Sequence, residues 1–350
     1  SMLKKVAEQY PKTSQASEAL ASIKDIYIDM NRVDDYFDYA NSLEYAKISA
    51  SEQDSATYVS AENVYMKGNC EDASEGFSKY LDLFPDGAFA ANAHFYRGQC
   101  RYKNKQYDKA LDDYEYVLNQ PQSQFTETSL VKAAGILYNN ENYHKALDYF
   151  KQLKDMAEYQ ENIRTARAGI MRIEHRLGYH KEAIKAAEKL LKLENITEKL
   201  AREAHLIVGR SAMELEDISL AKQSFKKVLE GKKSEKSAEA RYFLSKIDYL
   251  NGNYTQAESS IFETSEKYAG YDYWLAKSFV LLADVYVKTG DLFQAKQTLQ
   301  SIIDNYDGQK LVEEAKNKKE KILKKKKKEE QKKIEQEKQA EKEEQDVDNY

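Results

Sequence analysis

The sequence repeats itself with a period of 36 to 38 residues. The stretch YKNKQYDKALDDY at 102–114 returns at 138–150 as YNNENYHKALDYF, and a looser version, YLNGNYTQAESSI, occupies 249–261. We take Ala110, the alanine of the first stretch, as a marker. Its environment recurs at seven further marker positions: Tyr36, Ala73, Ala146, Ala183, Ala221, Ala257 and Ala295. Self-similarity at this period indicates one supersecondary unit that is stacked on its neighbours.

Each unit contains two apolar helical stripes separated by a short polar break. In the last unit the break is KTGD at 288–291. The stripe before it is Phe279, Leu282, Ala283 and Tyr286, and the stripe after it is Leu292, Ala295, Leu299 and Ile302. Three prolines and thirteen glycines in 350 residues also favour helices over sheet. A small marker suits a close helix crossing, so we predict an all-α solenoid of about eight helical hairpins.

The repeat sets the predicted boundaries. Residues 1–16 are expected to be the end of a preceding repeat, because Leu3, Val6, Tyr10 and Pro11 match the spacing of Phe77, Tyr80, Phe84 and Pro85. We therefore expect the chain to be the carboxyl-terminal piece of a longer protein. Eight units fill 17–308, and 309–323 is predicted to be a capping helix that closes the stack. Residues 324–350 are rich in Lys and Glu, and we expect a tail that is largely disordered or a solvated helix.

The spacing resembles that of the tetratricopeptide repeat family. In the third unit the family signature falls on Gly98, Tyr107, Ala110, Tyr114 and Val117. The resemblance implies a right-handed α-solenoid that binds a protein or peptide in a concave groove. The linkers QYPKTSQA, LFPDGAFAANAHFYRG and KYAGYDYWLAKSFVLLADVY also resemble those of tetratricopeptide repeat proteins of the bacterial cell envelope. Two positions depart from the pattern, namely Tyr36 at a marker and Ala187 where a large residue is usual.

The sequence lacks the motifs of a catalytic or metal centre. The five histidines form no His-Glu-x-x-His pair, the two cysteines form no Cys-x-x-Cys, and the glycines form no Gly-x-Gly loop. We therefore predict no catalytic residue, no metal ligand and no cofactor, and a protein that is not an enzyme. Before residue 316 there are 49 acidic and 41 basic residues, which argues against nucleic-acid binding. The apolar runs are too short for a transmembrane segment.

The two cysteines fall at the same edge of the predicted stack. Cys70 begins the second helix of one unit, and Cys100 lies late on the first helix of the next. They could form a disulfide or remain two free thiols. We favour free thiols, because a bridge requires Cβ atoms about 3.5–4.5 Å apart.

The family resemblance also implies which residues line the groove. The inner wall of such a solenoid is formed by the first helix of each unit, at positions 2, 5, 9, 12 and 13 of the unit. In this sequence we assign partner binding to Tyr58, Tyr65, Phe95, Tyr102, Tyr138, Arg172, His175, Arg176, Arg210, Tyr242 and Tyr249. Tyr and Arg are enriched where interfaces concentrate binding energy. The alternative is that several of these rings pack between neighbouring helices.

The function predicted from these observations is a non-catalytic protein–protein interaction scaffold in a bacterial envelope assembly. The expected location is the periplasm or the outer-membrane periphery of a Gram-negative bacterium, with membrane association through a region that precedes this chain. Two alternatives remain open. One is a glycan-binding module, since aromatic faces also stack on sugars, and the other is a regulatory arm of an enzyme encoded upstream.

Overall fold

The structure of the chain, a computed structural model, describes residues 2–347, without the side chains of residues 329 and 338–347. Ser1 and residues 348–350, which belong to the predicted first and last segments, lie outside the described residues. All regular secondary structure within 2–347 is α-helical, so the all-α prediction is confirmed. The helices are α1 Met2–Gln9, α2 Ser14–Asp29, α3 Val33–Asn41, α4 Ala50–Met66, α5 Cys70–Leu83, α6 Ala90–Lys103, α7 Tyr107–Leu118, α8 Thr126–Asn139, α9 Tyr143–Met156, α10 Gln160–Arg176, α11 His180–Leu191, α12 Glu198–Glu214, α13 Ile218–Leu229, α14 Glu235–Leu250, α15 Tyr254–Lys267, α16 Asp272–Thr289, α17 Leu292–Asn305 and α18 Gln309–Val347.

Within each unit consecutive helices pack as hairpins, and we number the helix pairs as repeats 1 to 8 from α2–α3 to α16–α17, with α10–α11 as repeat 5. The first helix of each repeat is even-numbered and the second is odd-numbered. The chain forms two compact units, one that ends at Ile173 and one that begins at Glu174, within α10. In the first unit α1 packs on α2, and in the second α18 packs on α17. The uniform repeat in the sequence gave no sign of this division.

The marker residues are the most buried points of the hairpins. The seven alanine markers have no exposed surface, and Tyr36 is 4% exposed. Four residues after a marker a large side chain fills the adjacent space, as Phe77, Tyr114 and Phe225 do without any exposure. Gly209 shows how close the helices approach, since a Cβ there would lie 2.5 Å from the Phe225 ring. The prediction of a close crossing at the marker is confirmed.

Each hairpin turn has a left-handed residue five positions before the marker. These residues are Asn31, Gly68, Lys105, Glu141, Gly178, Glu216, Gly252 and Gly290. In repeat 3 the N–H of Lys105 donates to the carbonyl of Tyr102 at 3.0 Å, and the N–H of Gln106 donates to that of Arg101 at 2.8 Å. These hydrogen bonds belong to the Schellman motif that ends helices. The sequence pattern includes Gly, Asn or Glu at seven of these eight positions, but it did not predict the left-handed conformation, because half of the positions are not glycine.

The carboxyl-terminal helix combines the predicted cap and the described part of the tail. Leu311, Ala315 and Ile322 are buried, and Ala315 and Ile322 extend the core formed by Leu299 and Ile302 of α17. Beyond the predicted boundary at 323 the helix continues to Val347. Residues 323–328 and 330–337 are exposed along it. The cap is therefore the beginning of a long helix whose second part is solvated.

Both cysteines are free thiols in the structure. Cys100 is fully buried on α6, whereas Cys70, at the start of α5, is half-buried. Burial raises the pKa of the Cys100 thiol, and a hydrogen bond with Cys70 raises it further. Cys100 is therefore a protonated core side chain.

A charge at a marker should destabilise its own region of the chain. Ala146→Glu would bury a carboxylate at the crossing of α8 and α9 without a partner, at a cost of about 2–4 kcal/mol. Because each repeat contacts only its neighbours, hydrogen–deuterium exchange should rise in repeats 3 to 5 and stay unchanged in repeat 8. The control is Lys151→Glu on the exposed face of α9. Uniform loss of protection, or no loss, would contradict this packing.

Candidate functional site

The residues predicted to bind a partner all lie on first helices of repeats. Counted back from the marker, they fall into distinct registers. Tyr58, Phe95 and Tyr242 lie 15 positions before it, and the arginines Arg172 and Arg210 lie 11 before it. Tyr65, Tyr102, Tyr138, His175 and Tyr249 lie 8 before it, and Arg176 lies 7 before it. The registers differ in what the side chains contact.

At the first register the aromatic ring is buried against the next repeat. Tyr58 is 2% exposed and stacks on Phe89, with ring centres 4.6 Å apart and planes inclined by 8°. Phe95 stacks in the same way on Phe125 at 4.4 Å. Tyr242 lies 5.7 Å from the ring of Trp274. These rings connect neighbouring repeats, and they present almost no surface to a partner.

The Tyr58 hydroxyl completes this buried contact. It donates a hydrogen bond to Glu62 Oε1 at 2.6 Å. Burial raises the pKa of Tyr58, and the hydrogen bond to Glu62 raises it further. The hydroxyl therefore stays protonated, as a donor to a carboxylate must.

At the register 8 before the marker the five rings are half-buried, and four of them pack across the hairpin turn. Tyr102 meets the edge of Tyr107 at 5.3 Å, and Tyr138 meets Tyr143 at 5.8 Å. Tyr249 on Tyr254 and His175 on His180 form the same contact across a turn. Tyr65 differs, because it packs on Tyr96 of the next repeat. We call the four pairs that cross a turn, namely Tyr102–Tyr107, Tyr138–Tyr143, Tyr249–Tyr254 and His175–His180, turn clasps. They fix the ring at the end of the first helix and leave part of it accessible.

Lysines of the following first helices lie over two of the predicted binding rings, Tyr102 and Tyr242, and sequence reasoning missed these lysines. Lys132 Nζ is 4.2 Å from the centre of the Tyr102 ring. Lys277 Nζ lies 5.2 Å from the ring of Tyr242 and 5.4 Å from that of Tyr273. Such cation–π contacts place positive charge beside the aromatic surface. Lys132 and Lys277 each lie one repeat after Tyr102 and Tyr242, respectively, whereas Tyr273 is on the same helix as Lys277.

The arginines of this surface differ in how far their side chains are exposed to solvent. Arg210 forms an ion pair with Glu239, whose side chain is almost fully buried. Burial raises the pKa of Glu239, while the charge of Arg210 opposes that shift. Arg172 is half-buried, and Arg176 is exposed. Arg210 is thus held by the next repeat, whereas Arg176 presents more surface to solvent.

His175 is a neutral side chain in this surface. Its Nδ1 lies 2.9 Å from Ser211 Oγ. Burial lowers the pKa of His175 to about 4, and the charges of Arg210, His180 and Arg176 act in the same direction. His175 therefore contributes a hydrogen-bonding group near neutral pH and no charge.

Together these residues provide ring surface, cations and hydrogen-bonding groups on first helices. Within residues 2–347, leaving aside the undescribed side chains, no group of three or more His, Cys, Asp or Glu could hold a metal ion. In the same part of the chain no helix is both long and apolar enough to cross a bilayer. The arrangement suits recognition of another molecule. Which of the eleven residues contact a partner stays a prediction.

Comparison with protein families gives two matches. Tetratricopeptide repeat models match residues 91–120, within repeat 3, and residues 273–308, which span repeat 8. No curated protein sequence matches the chain significantly.

Solved structures resemble the chain at low identity. The carboxyl-terminal part of a tetratricopeptide repeat protein from Cytophaga hutchinsonii is 18% identical, with a TM-score of 0.53 over 73% of this chain and 98% of that one. A tetratricopeptide repeat protein from Parabacteroides merdae is 16% identical, with a TM-score of 0.42 over 77% and 98%. YrrB, described as having an unusual peptide-binding site, is 20% identical, with a TM-score of 0.42 over 58% and 97%. The first of these likenesses supports the fold.

The neutral state of His175 should make stability depend on pH. The unfolded chain binds a proton at this residue below pH about 6.5, whereas the folded chain keeps it neutral down to about pH 4. The free energy of unfolding should therefore fall as the pH is lowered from 6.5 towards 4. His175→Asn, which preserves a polar group near Ser211, should make this fall shallower in urea titrations. An unchanged slope would contradict the assignment, and exposed His144→Asn is the control.

Proposed function

Starting from the fact that this chain is a tetratricopeptide repeat protein, we propose that it is a non-catalytic scaffold. It binds a protein or peptide partner through the first helices of its repeats. The family consists in general of interaction scaffolds, and the surface described above consists of the residue types that such binding uses. The mechanism is passive recognition, in which no covalent bond is made or broken.

The observation that carries the proposal is the recurring turn clasp. Tyr102, Tyr138 and Tyr249 occupy one register in three repeats, and each is fixed by a second ring across the turn. A side chain that is already ordered loses little conformational entropy on binding. Such ordered tyrosines, with Lys132 over the ring of Tyr102, therefore form an interface surface at low entropic cost.

The same geometry favours a protein partner over a glycan. A sugar ring stacks on an open aromatic face, but Lys132 already lies over the face of Tyr102. A peptide carboxylate or carbonyl oxygen interacts well with a lysine held in that place. We therefore keep glycan binding as the outcome that would refute the proposal.

We further propose that the partner belongs to a bacterial envelope assembly. The support is the similarity of the linkers, such as the stretch 83–98 between α5 and the middle of α6, to those of envelope proteins with this repeat. The location that follows is the periplasm or the outer-membrane periphery. Cell fractionation with an antibody against this chain would test it, and recovery in the cytosolic fraction would refute it.

The binding surface is tested by substitution on the first helices. Tyr102→Ala and Arg172→Ala should each weaken capture of the partner from an envelope extract about tenfold or more, because anchor residues carry most of the binding energy. Tyr107→Ala removes the second ring of the same clasp and leaves Tyr102 in place, so it should weaken capture less than Tyr102→Ala does. Circular dichroism should show that all three variants stay folded.

Three results would count against the proposal. Unchanged capture by both first-helix variants would remove these residues from the interface. A captured ligand that survives protease treatment of the extract would identify a glycan. Equal loss in Tyr107→Ala and Tyr102→Ala would mean that the clasp supports stability and not binding.

A further inference from the structure

An open groove lies over the first helix of repeat 8, between the second helices of repeats 7 and 8. The groove has a volume of about 580 Å³, with α16 as its floor and α15 and α17 as its walls. Its apolar lining includes Phe262, Leu275, Phe279, Leu282 and Tyr286. None of the eleven residues predicted to bind a partner lies in it. The volume falls within the range of about 300–1,000 Å³ that is usual for ligand sites.

In repeat 3 the same register is closed by charged side chains. Asp113 is 1% exposed and lies 2.8 Å from His94 Nδ1. It also accepts hydrogen bonds from Arg97 at 2.7 Å and from Arg101 at 2.8 Å, and Arg97 donates to Ser78. Measured from the markers, the repeat 8 counterparts of this network are Phe262, Phe279, Leu282, Tyr286 and Thr298. Repeat 8 has thus replaced a closed ion network by an open apolar groove.

Repeat 7 shows that the apolar lining does not follow from the fold alone. Its groove is lined by Lys222, Lys226, Arg241 and Asp248, among others. Of these, Lys226, Arg241 and Asp248 occupy the positions where repeat 8 has Phe262, Phe279 and Tyr286. The backbone framework therefore tolerates either chemistry, and the apolar groove in repeat 8 is a property of its side chains.

The charges around the groove indicate what would fill it. Its lining includes the carboxylates of Asp272 and Asp307, whereas none of the lining residues is Lys, Arg or His. The α17 wall carries an uncharged polar row formed by Gln294, Thr298, Ser301 and Asn305. An occupant that complements this lining has apolar side chains for the floor and a cation for the acidic end.

We propose that this groove is a second docking site, which takes a short peptide segment of a partner protein that combines apolar side chains with Lys or Arg. The apolar side chains cover Phe262, Leu275 and Phe279, and the cation pairs with Asp272 or Asp307. An apolar segment laid in a groove is a common mode of peptide recognition. The site does not depend on the binding surface proposed above, because none of the eleven residues of that surface lines the groove.

Selection of peptides on the full chain tests this site. Random twelve-residue peptides are displayed on phage and selected on the immobilised protein, and enriched peptides are then measured by fluorescence anisotropy. We expect them to share aliphatic or aromatic residues with Lys or Arg. Their affinity should fall about tenfold or more in Phe262→Ala, which removes a wall, and in Ser301→Arg, which fills the groove and adds a cation.

Matched controls separate the groove from the rest of the repeat. Phe293→Ala removes an aromatic side chain of α17 that is 62% exposed and outside the groove lining, and it should leave the affinity unchanged. Asp307→Lys should weaken binding, whereas Glu266→Lys, on an exposed position of α15 outside the lining, should not. Tyr102→Ala should also have no effect, which keeps this result separate from the first-helix surface.

Three outcomes would overturn the proposal. The first is a set of enriched peptides that bind Ser301→Arg as tightly as the unaltered chain, and the second is enrichment of acidic peptides. The third is a self-association that sedimentation detects in the unaltered chain and that Ser301→Arg abolishes, because the groove would then hold a second copy of this chain.

Discussion

The close crossing of two helices at the marker residue is the contact on which the structure depends. An alanine with no exposed surface lies at this crossing in seven of the eight repeats. Because the helices approach so closely there, a large side chain four residues later, such as Phe225, packs against Gly209 of the facing helix. Every other regular feature of the hairpin, including the left-handed turn residue and the clasp across it, has a fixed distance from this point.

These fixed distances from the marker explain how one first helix both packs against the next repeat and presents side chains to a partner. Side chains 15 positions before the marker face the next repeat and form stacks such as Tyr58 with Phe89. Side chains 8 before it lie near the turn, where Tyr102 meets Tyr107 and stays partly accessible. Packing between repeats and presentation to a partner are thus assigned to different registers of the same helix, so substitutions at one register need not disturb the other.

Sequence reasoning predicted the features that depend on period, and it missed those that depend on the neighbouring repeat. The marker spacing was sufficient to predict hairpins and buried alanines. It was not sufficient to predict that Tyr58 is buried while Tyr102 stays partly accessible, because the burial of Tyr58 comes from Phe89 in the next hairpin. The relevant signal was in the sequence, since Phe89, Phe125 and Trp274 all lie 21 positions before their own markers. The pairing of Arg210 with Glu239 likewise crosses from one repeat to the next.

The groove in repeat 8 exists because charged side chains are replaced by apolar ones at a few positions. A search for recurring motifs does not detect such a replacement. Repeat 3 fills that register with Asp113 and its two arginines, whereas repeat 8 has Phe279 and Leu282 there. The same kind of helical hairpin therefore supports a closed ion network in one repeat and an open apolar surface in another. Individual repeats can in this way acquire separate binding properties while the stack stays intact.

The most direct test of this account is the reactivity of individual tyrosines in the native chain. Acetylation of tyrosine hydroxyls with N-acetylimidazole, quantified by peptide mass spectrometry, compares the two registers within one molecule. The account predicts that Tyr102, Tyr138 and Tyr249 react, while Tyr58 and Tyr242 stay protected until the chain is unfolded in denaturant. Equal reactivity of the two groups in the native chain would contradict the division of each first helix into a packing register and a presenting register.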